Sequence, residues 1–253
     1  MKMHLLSGGR LRMRKNVFLP AAERSEMIEL PVSSALLRHS QANVLFDTGC
    51  HPTVAEKPEG RWGGIAKLMT PIMQPGEHVL TGLSGIGLSP DDIDLVINSH
   101  LHPDHCGCNA FFRKATFLVH GDELAAARAP GSEASGYLAA EWQQPMPIDE
   151  IAGQRDVFAD GRVVIMPLPG HTPGSIGVLA QLDRSGAYLL AGDTVSLRET
   201  LDTGIIPRNT WDAAALRKSL AEVRHLESSG VTVVCSHDAA QWDTLRKGAD
   251  SYD

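Results

Sequence analysis

The 253 residues are 43% hydrophobic and carry a formal charge of −7, which gives enough apolar material for a substantial core and excludes a disordered segment. No basic block or aromatic–basic stripe suggests a nucleic-acid surface, and no apolar run approaches the roughly 20 residues needed to cross a bilayer. Residues 1–20 contain no uninterrupted apolar stretch, so no secretory signal is expected, and Cys50, Cys106, Cys108 and Cys235 form no C-x-x-C pair, which fits reduced thiols in a cytoplasmic protein.

Residues 31–37 and 43–46 read as neighbouring strands joined around Ser40, the second ending at Asp47-Thr48-Gly49. The stretch 50–76 is rich in proline and glycine and reads as a long surface excursion. A short helix is expected over 77–83. Ser89-Pro90-Asp91-Asp92 then reads as a turn or helix start before an apolar, β-branched strand over 93–98. Residues 116–119 form another strand and 122–128 a helix with acids in its first turn. The polar stretch 129–153, with Pro145 and Pro147, has no assignable element and is where a substrate-covering loop would lie. Further strands are expected over 163–166, 176–182 and 187–190. Thr210 would cap a helix over 211–228 in which Leu216, Leu220, Val223 and Leu226 face the core, with Gly230 as its stop. A last buried strand covers 231–234. No composition break divides the chain. Two strand-rich halves with helices between them predict an α/β fold in one domain over 1–253: two facing mixed sheets with helices outside.

The chemistry is concentrated in Ser99-His100-Leu101-His102-Pro103-Asp104-His105, where His100, His102, Asp104 and His105 form an H-x-H-x-D-H pattern directly after a predicted strand. Imidazole and carboxylate are the ligands zinc takes outside thiolate sites. Pro103 argues against regular structure, so the four are expected on a loop where they can converge. Three more polar groups follow apolar strands: His171 within Pro169-Gly170-His171-Thr172-Pro173-Gly174, Asp193 within Gly192-Asp193-Thr194, and His237. His100, His102 and His171 make one three-ligand set. Asp104, His105 and His237 make a second, and Asp193 can bridge them. Two zinc ions roughly 3.5–4 Å apart are a recurrent hydrolytic arrangement that yields a hydroxide nucleophile near neutral pH. His4, His39, His51, His78, His120 and His225 read as ordinary loop residues, and Cys106 and Cys108 as small packing residues beside the ligands.

This pattern resembles the metallo-β-lactamase superfamily, which implies an αβ/βα four-layer sandwich with a dinuclear site at the sheet edges. Leu30-Pro31-Val32, Phe46-Asp47-Thr48-Gly49, Gly60-Arg61-Trp62-Gly63-Gly64-Ile65 and Ser236-His237-Asp238-Ala239-Ala240-Gln241-Trp242 resemble the N-acyl-homoserine lactonases within it. The resemblance implies opening of a lactone ring by a metal-bridging hydroxide, with Asp104 and Asp193 in catalytic roles and Asp47 steadying the metal loop. It implies two Zn2+ ions, with Mn, Fe or Co as alternatives, a small-molecule lactone or ester as the partner, and a homodimer as a possible assembly. Neither nucleic acid nor membrane is an expected partner. Many of these lactonases carry a tyrosine three residues after the bridging aspartate, where its hydroxyl meets the substrate carbonyl. Here that residue is Ser196, whose shorter side chain leaves Tyr137 as the other candidate substrate contact.

The alternatives on the same ligand set are a thioesterase of the hydroxyacylglutathione type, another ester, amide or phosphodiester hydrolase, and a non-enzymatic zinc protein. No G-x-S-x-G elbow suggests a side-chain nucleophile. Di-iron relatives usually carry glutamate at the position of His102, and no flavin-binding segment is visible.

Overall fold

The computed structural model describes residues 1–253. Its first strand, β1 (Lys2–Arg14), is missing from the elements expected above. Basic residues and the Gly8-Gly9 pair mask a strand whose Met3, Leu5 and Leu11 are fully buried. β1 pairs antiparallel with β2 (Met27–Arg38), and the register shifts between Ser7 and Arg10, where the glycines bulge. That bulge lets another turn cross the strand. A Cβ on Gly49 would lie 2.4 Å from the Gly8 Cα, so the turn carrying Asp47 rests directly on the β1 backbone.

The chain continues through β3 (Asn43–Phe46), β4 (Thr70–Pro71), β5 (Leu95–Ile97), β6 (Thr116–His120) and β7 (Ile148–Ile151). These build a seven-stranded sheet in the order β4-β1-β2-β3-β5-β6-β7. It is antiparallel up to β3 and parallel beyond. A five-stranded sheet follows, from β8 (Arg155–Asp156), β9 (Val163–Pro167), β10 (Ile176–Leu182), β11 (Gly186–Leu190) and β12 (Thr232–Val234). Its order is β12-β11-β10-β9-β8, and β11–β12 is its parallel pair.

The helices are α1 (Pro58–Trp62), α2 (Val79–Gly85), α3 (Pro103–Cys106), α4 (Gly121–Arg128), α5 (Ala139–Trp142), α6 (Arg198–Thr203), α7 (Ala213–Ser228) and α8 (Ala239–Thr244). The inner faces of the two sheets share one core, in which Leu5, Leu37, Phe46 and Ile97 meet Ile165, Val178, Leu190 and Val234. Outside the first sheet, Leu83, Leu124 and Trp142 from α2, α4 and α5 cover Leu45, Val96 and Phe117. Outside the second, Leu216, Leu220 and Val223 of α7 cover Leu189 and Val233. The result is the expected helix–sheet–sheet–helix sandwich.

Several local expectations need correction. Asp212, not Thr210, caps α7, accepting from the Ala214 and Ala215 amides at 2.7 and 2.9 Å. The amides of Trp211 and Asp212 are bonded to His171 O and Gly170 O, which holds the chain extended until after Asp212. The unassigned stretch 129–153 contains α5 and β7. His4 is no loop residue: it lies buried in β1 with Nδ1 on Gly248 O at 2.9 Å. His51, His78 and His120 have a defined local role, each accepting a backbone N–H at a helix start.

Candidate metal centre

The parallel strand β5 ends at Ile97, and Asn98, Ser99 and His100 are buried immediately after it. His100 and His102 lie on this exit. Asp104 and His105, expected on a loop, instead occupy the single turn of α3. Pro103 opens that turn rather than preventing it, because its missing N–H falls at a first helical position where no intrahelical bond is made. His171 follows β9, Asp193 follows β11 and His237 follows β12, so both sheets deliver ligands to one rim.

The facing atoms form three overlapping groups: His100, His102 and His171; His100, His105 and Asp193; and Asp104, His105 and His237. In the first, His102 Nδ1 lies 3.1 Å from both His100 Nε2 and His171 Nε2. Ligands held tetrahedrally at roughly 2.0–2.1 Å from zinc stand about 3.3 Å apart, so this nitrogen cluster is of the right size. In the third, Asp104 Oδ2 lies 3.5 Å from His105 Nε2 and 3.6 Å from His237 Nε2. Asp193 spans the groups. Its Oδ1 is 3.2 Å from His105 Nε2 and 3.0 Å from His237 Nε2, and its Oδ2 is 3.5 Å from His171 Nε2.

The rings are oriented from behind. His105 Nδ1 meets Asp47 Oδ2 at 2.8 Å, His237 Nδ1 meets Pro31 O at 2.8 Å, His100 Nδ1 meets Ser99 Oγ at 2.9 Å and His102 Nε2 meets Ser135 O at 3.0 Å. Fixing the outer nitrogen leaves the inner one free to bind. Asp47 also accepts from the Ser99 amide and hydroxyl, each at 2.7 Å, and occupies the left-handed region at φ 57°. Ser236 Oγ donates to Asp193 Oδ1 at 2.6 Å.

Electrostatics divides the set. Burial, followed by neighbouring imidazoles, holds His100 well below its ordinary pKa. Burial and His171 push His102 down to about 3. Burial lowers His171 as well. These rings stay neutral and carry free lone pairs, the state a metal requires. For His105, burial acts downward, but Asp104, Asp193 and Asp47 together raise it well above the usual value. His237 is raised by Asp193 against the same burial. Burial would raise Asp193, but His237, His105 and His171 hold it well below the carboxylate range. His105 Nε2 is buried among these carboxylates without a hydrogen-bond partner. Five imidazoles and two carboxylates arranged in this way fit divalent cations of the zinc class.

A cleft of ≈ 560 Å³ opens over His102, Asp104, His171, Asp193 and His237. Met13, Val17, Phe18, Met27, Ile65, Leu68 and Met69 line much of the remaining wall. Neither proposed substrate contact joins it. Ser196 is buried and its hydroxyl turns to Asp193 O at 3.4 Å. Tyr137 packs its ring on His102, 5.3 Å between centroids, while its buried hydroxyl faces Glu123 and makes no close hydrogen bond. Cys106 and Cys108 point away from the ligands, to Leu101 O and Cys50 O.

Sequence reading missed Ser99, Ser236, Glu123 and Glu141. Both glutamates are fully buried. Glu141 accepts from Arg61 at 2.7 and 2.9 Å and from Trp62 Nε1 at 3.0 Å. An acid in a helix's first turn, as Glu123 is, ordinarily reads as a dipole partner, so its burial has no local signal.

Comparison with known proteins gives a consistent result. A model described as the metallo-beta-lactamase superfamily matches residues 27–237. N-acyl homoserine lactonase AttM of Azorhizobium caulinodans is 27% identical over 100% of this chain and 98% of its own length. N-acyl homoserine lactonase AiiB of Agrobacterium fabrum is 29% identical over 99% and 98%. A solved N-acyl homoserine lactone hydrolase, with N-hexanoyl-L-homoserine at its catalytic metal centre, superposes with a TM-score of 0.89 at 23% identity, covering 99% of this chain and 98% of that one. AidC, a dizinc quorum-quenching lactonase, superposes with a TM-score of 0.73 at 16% identity over 94% and 87%.

Proposed function

This chain belongs to the metallo-beta-lactamase superfamily, and from that premise we propose that it is a dinuclear-zinc hydrolase that opens lactone rings, of the N-acyl-homoserine lactonase kind. The observation that carries this reading is the convergence of seven side chains at the floor of a largely apolar cleft. Full-length likeness to named lactonases supports the choice of substrate.

In this reading His100, His102 and His171 would hold one ion and Asp104, His105 and His237 the other, with Asp193 facing both sets. A pair of divalent cations, when bound, polarises an ester carbonyl and acidifies water near neutral pH. The chain's own residues do the rest. Met13, Phe18, Ile65, Leu68 and Met69 take the acyl chain out of water and leave the ester over the ligand rim. Water adds across the ring ester: its oxygen bonds to the acyl carbon, the ring C–O bond breaks, and the leaving oxygen gains a proton. Asp104, at the cleft floor, accepts a proton from the water and delivers it to that oxygen. Asp47 keeps His105 turned inward during this exchange. Ser196 lies outside the cleft, buried with its hydroxyl toward Asp193 O.

A reducing, cytoplasmic setting is part of the proposal, supported by four free buried cysteines. No helix is long and apolar enough to cross a membrane. Acid release from a panel of acyl-homoserine lactones, measured with metal content on the same sample, tests the reading. Lactone opening with two equivalents of zinc is the expected result. Turnover of glutathione thioesters with inert lactones would transfer the site to the thioesterase alternative, and metal uptake without turnover of any ester would make it a binding protein.

A further inference from the structure

Apart from Asp47, one other fully buried carboxylate grips the ligand loops. Glu123 lies in the first turn of α4 and is 0% exposed. Its two oxygens go to different loops. Oε1 accepts from the Leu101 amide at 2.9 Å, between His100 and His102. Oε2 accepts from the Gly174 amide at 3.1 Å, three residues after His171. The second loop approaches so closely that a Cβ on Gly174 would lie 2.2 Å from the Glu123 amide nitrogen. Tyr137, whose ring packs on His102, turns its hydroxyl toward the same carboxylate.

We propose that Glu123 is a positioning residue that sets the three-histidine position selectively, by joining the His102 and His171 loops through one carboxylate. This rests on the dinuclear reading above. Asp47 meets His105 directly and reaches His100 through Ser99, so it touches both ligand sets, whereas Glu123 joins only the His102 and His171 loops. His102 Nδ1 and His171 Nε2 come from loops with no strand pairing between them, and their 3.1 Å separation depends on what bridges those loops. Burial pushes the Glu123 carboxyl above its ordinary range, against hydrogen bonds from Thr172 and the Leu101 and Gly174 amides, and its two oxygens present two acceptors to those two amides. Glutamine at this position retains one acceptor oxygen and turns an NH2 group toward an amide, which frees one loop.

The test is zinc affinity by chelator competition on wild type, Glu123→Gln, Asp47→Asn and His102→Ala, with cobalt absorption spectra to identify which position is filled. Glu123→Gln is expected to weaken one of two ions by about 10–100-fold, the range for outer-sphere ligands. Its residual cobalt spectrum should match that of His102→Ala, and that of Asp47→Asn should not. Tyr137→Phe, a milder change, should weaken the same ion by a few-fold with the fold intact by circular dichroism. Two ions bound by Glu123→Gln with wild-type affinities, or equal weakening of both together with a lowered melting temperature, would overturn the proposal. Wild-type protein that takes up no metal would instead overturn the dinuclear reading.

Discussion

At the ligand rim His100, His105 and Asp193 are buried and four imidazoles have their outer nitrogen tied to a partner. Across the cleft Leu68 is 71% exposed, Met27 is 51% exposed, and the excursion carrying Ile65 to Met69 is fastened through Arg61 and Trp62 to Glu141. The rim is a polar network in which each member restricts the next. The wall is apolar surface, part of it carried by β1 and β2 and part by an excursion held between the Glu141 clasp and β4. Orientation matters where charge develops in a reaction, whereas an alkyl chain needs only area removed from water. Reaction type and chain preference are therefore set by separate parts of the molecule and can be altered separately.

The sharpest way to break this division is at the rim. His102→Ala or Asp193→Ala should lower lactone opening by about 10³-fold or more, the several kcal/mol that polarisation by a held cation supplies. Initial rates on short- and long-chain lactones should fall equally, since the wall is untouched. Next is the joint behind the rim. Gly174→Ala places a methyl against Glu123 and should destabilise the fold by about 3 kcal/mol, read by urea denaturation. At the clasp, Arg61→Ala leaves Glu141 buried without its cation. A fully buried pair broken this way costs roughly 3–5 kcal/mol, and about 2–3 is expected here because Arg61 keeps a quarter of its side chain exposed. KM for long-chain lactones should rise with kcat nearly unchanged. The smallest effect is at the rim of the wall. Leu68→Ala should change stability by less than about 0.5 kcal/mol. It should raise KM for a long-chain substrate about three- to tenfold and leave short-chain substrates as they were, by the area it no longer covers. If the short chain suffers equally, wall and rim are not separable.

The same division explains what can be read from the chain directly. The H-x-H-x-D-H segment, His171, Asp193 and His237 stand after apolar strands, and strand ends are where such folds expose ligands, so the rim is legible. Asp47 is legible through the resemblance of Phe46-Asp47-Thr48-Gly49 to the lactonases and the need of a metal-binding imidazole for a partner behind it. Ser196 and Tyr137 lie outside the apolar cleft, and linear distance from Asp193, or residence in an unassigned stretch, carries no information on which way a side chain turns. β1 was hidden by its own bulge and its basic residues. The clasp joins residues 79 and 80 positions apart, and Glu123 meets Gly174 across 51. No periodicity encodes pairings at that range. They follow from the packing of layers, which exists only once both sheets have formed.

One asymmetry among the imidazoles bears on how this centre can change. His102 offers Nδ1 to its neighbours, whereas His100, His105, His171 and His237 offer Nε2. The near edge of a ring lies no farther from the main chain than the tip of an asparagine or aspartate. A short amide or acid at 102 keeps a donor atom in place, and an oxygen there shifts preference from softer toward harder ions. Shortening any of the other four leaves a gap as wide as the ring itself. At position 102 the shorter acid or amide reaches far enough to donate, whereas at the other four only glutamate or glutamine has the length.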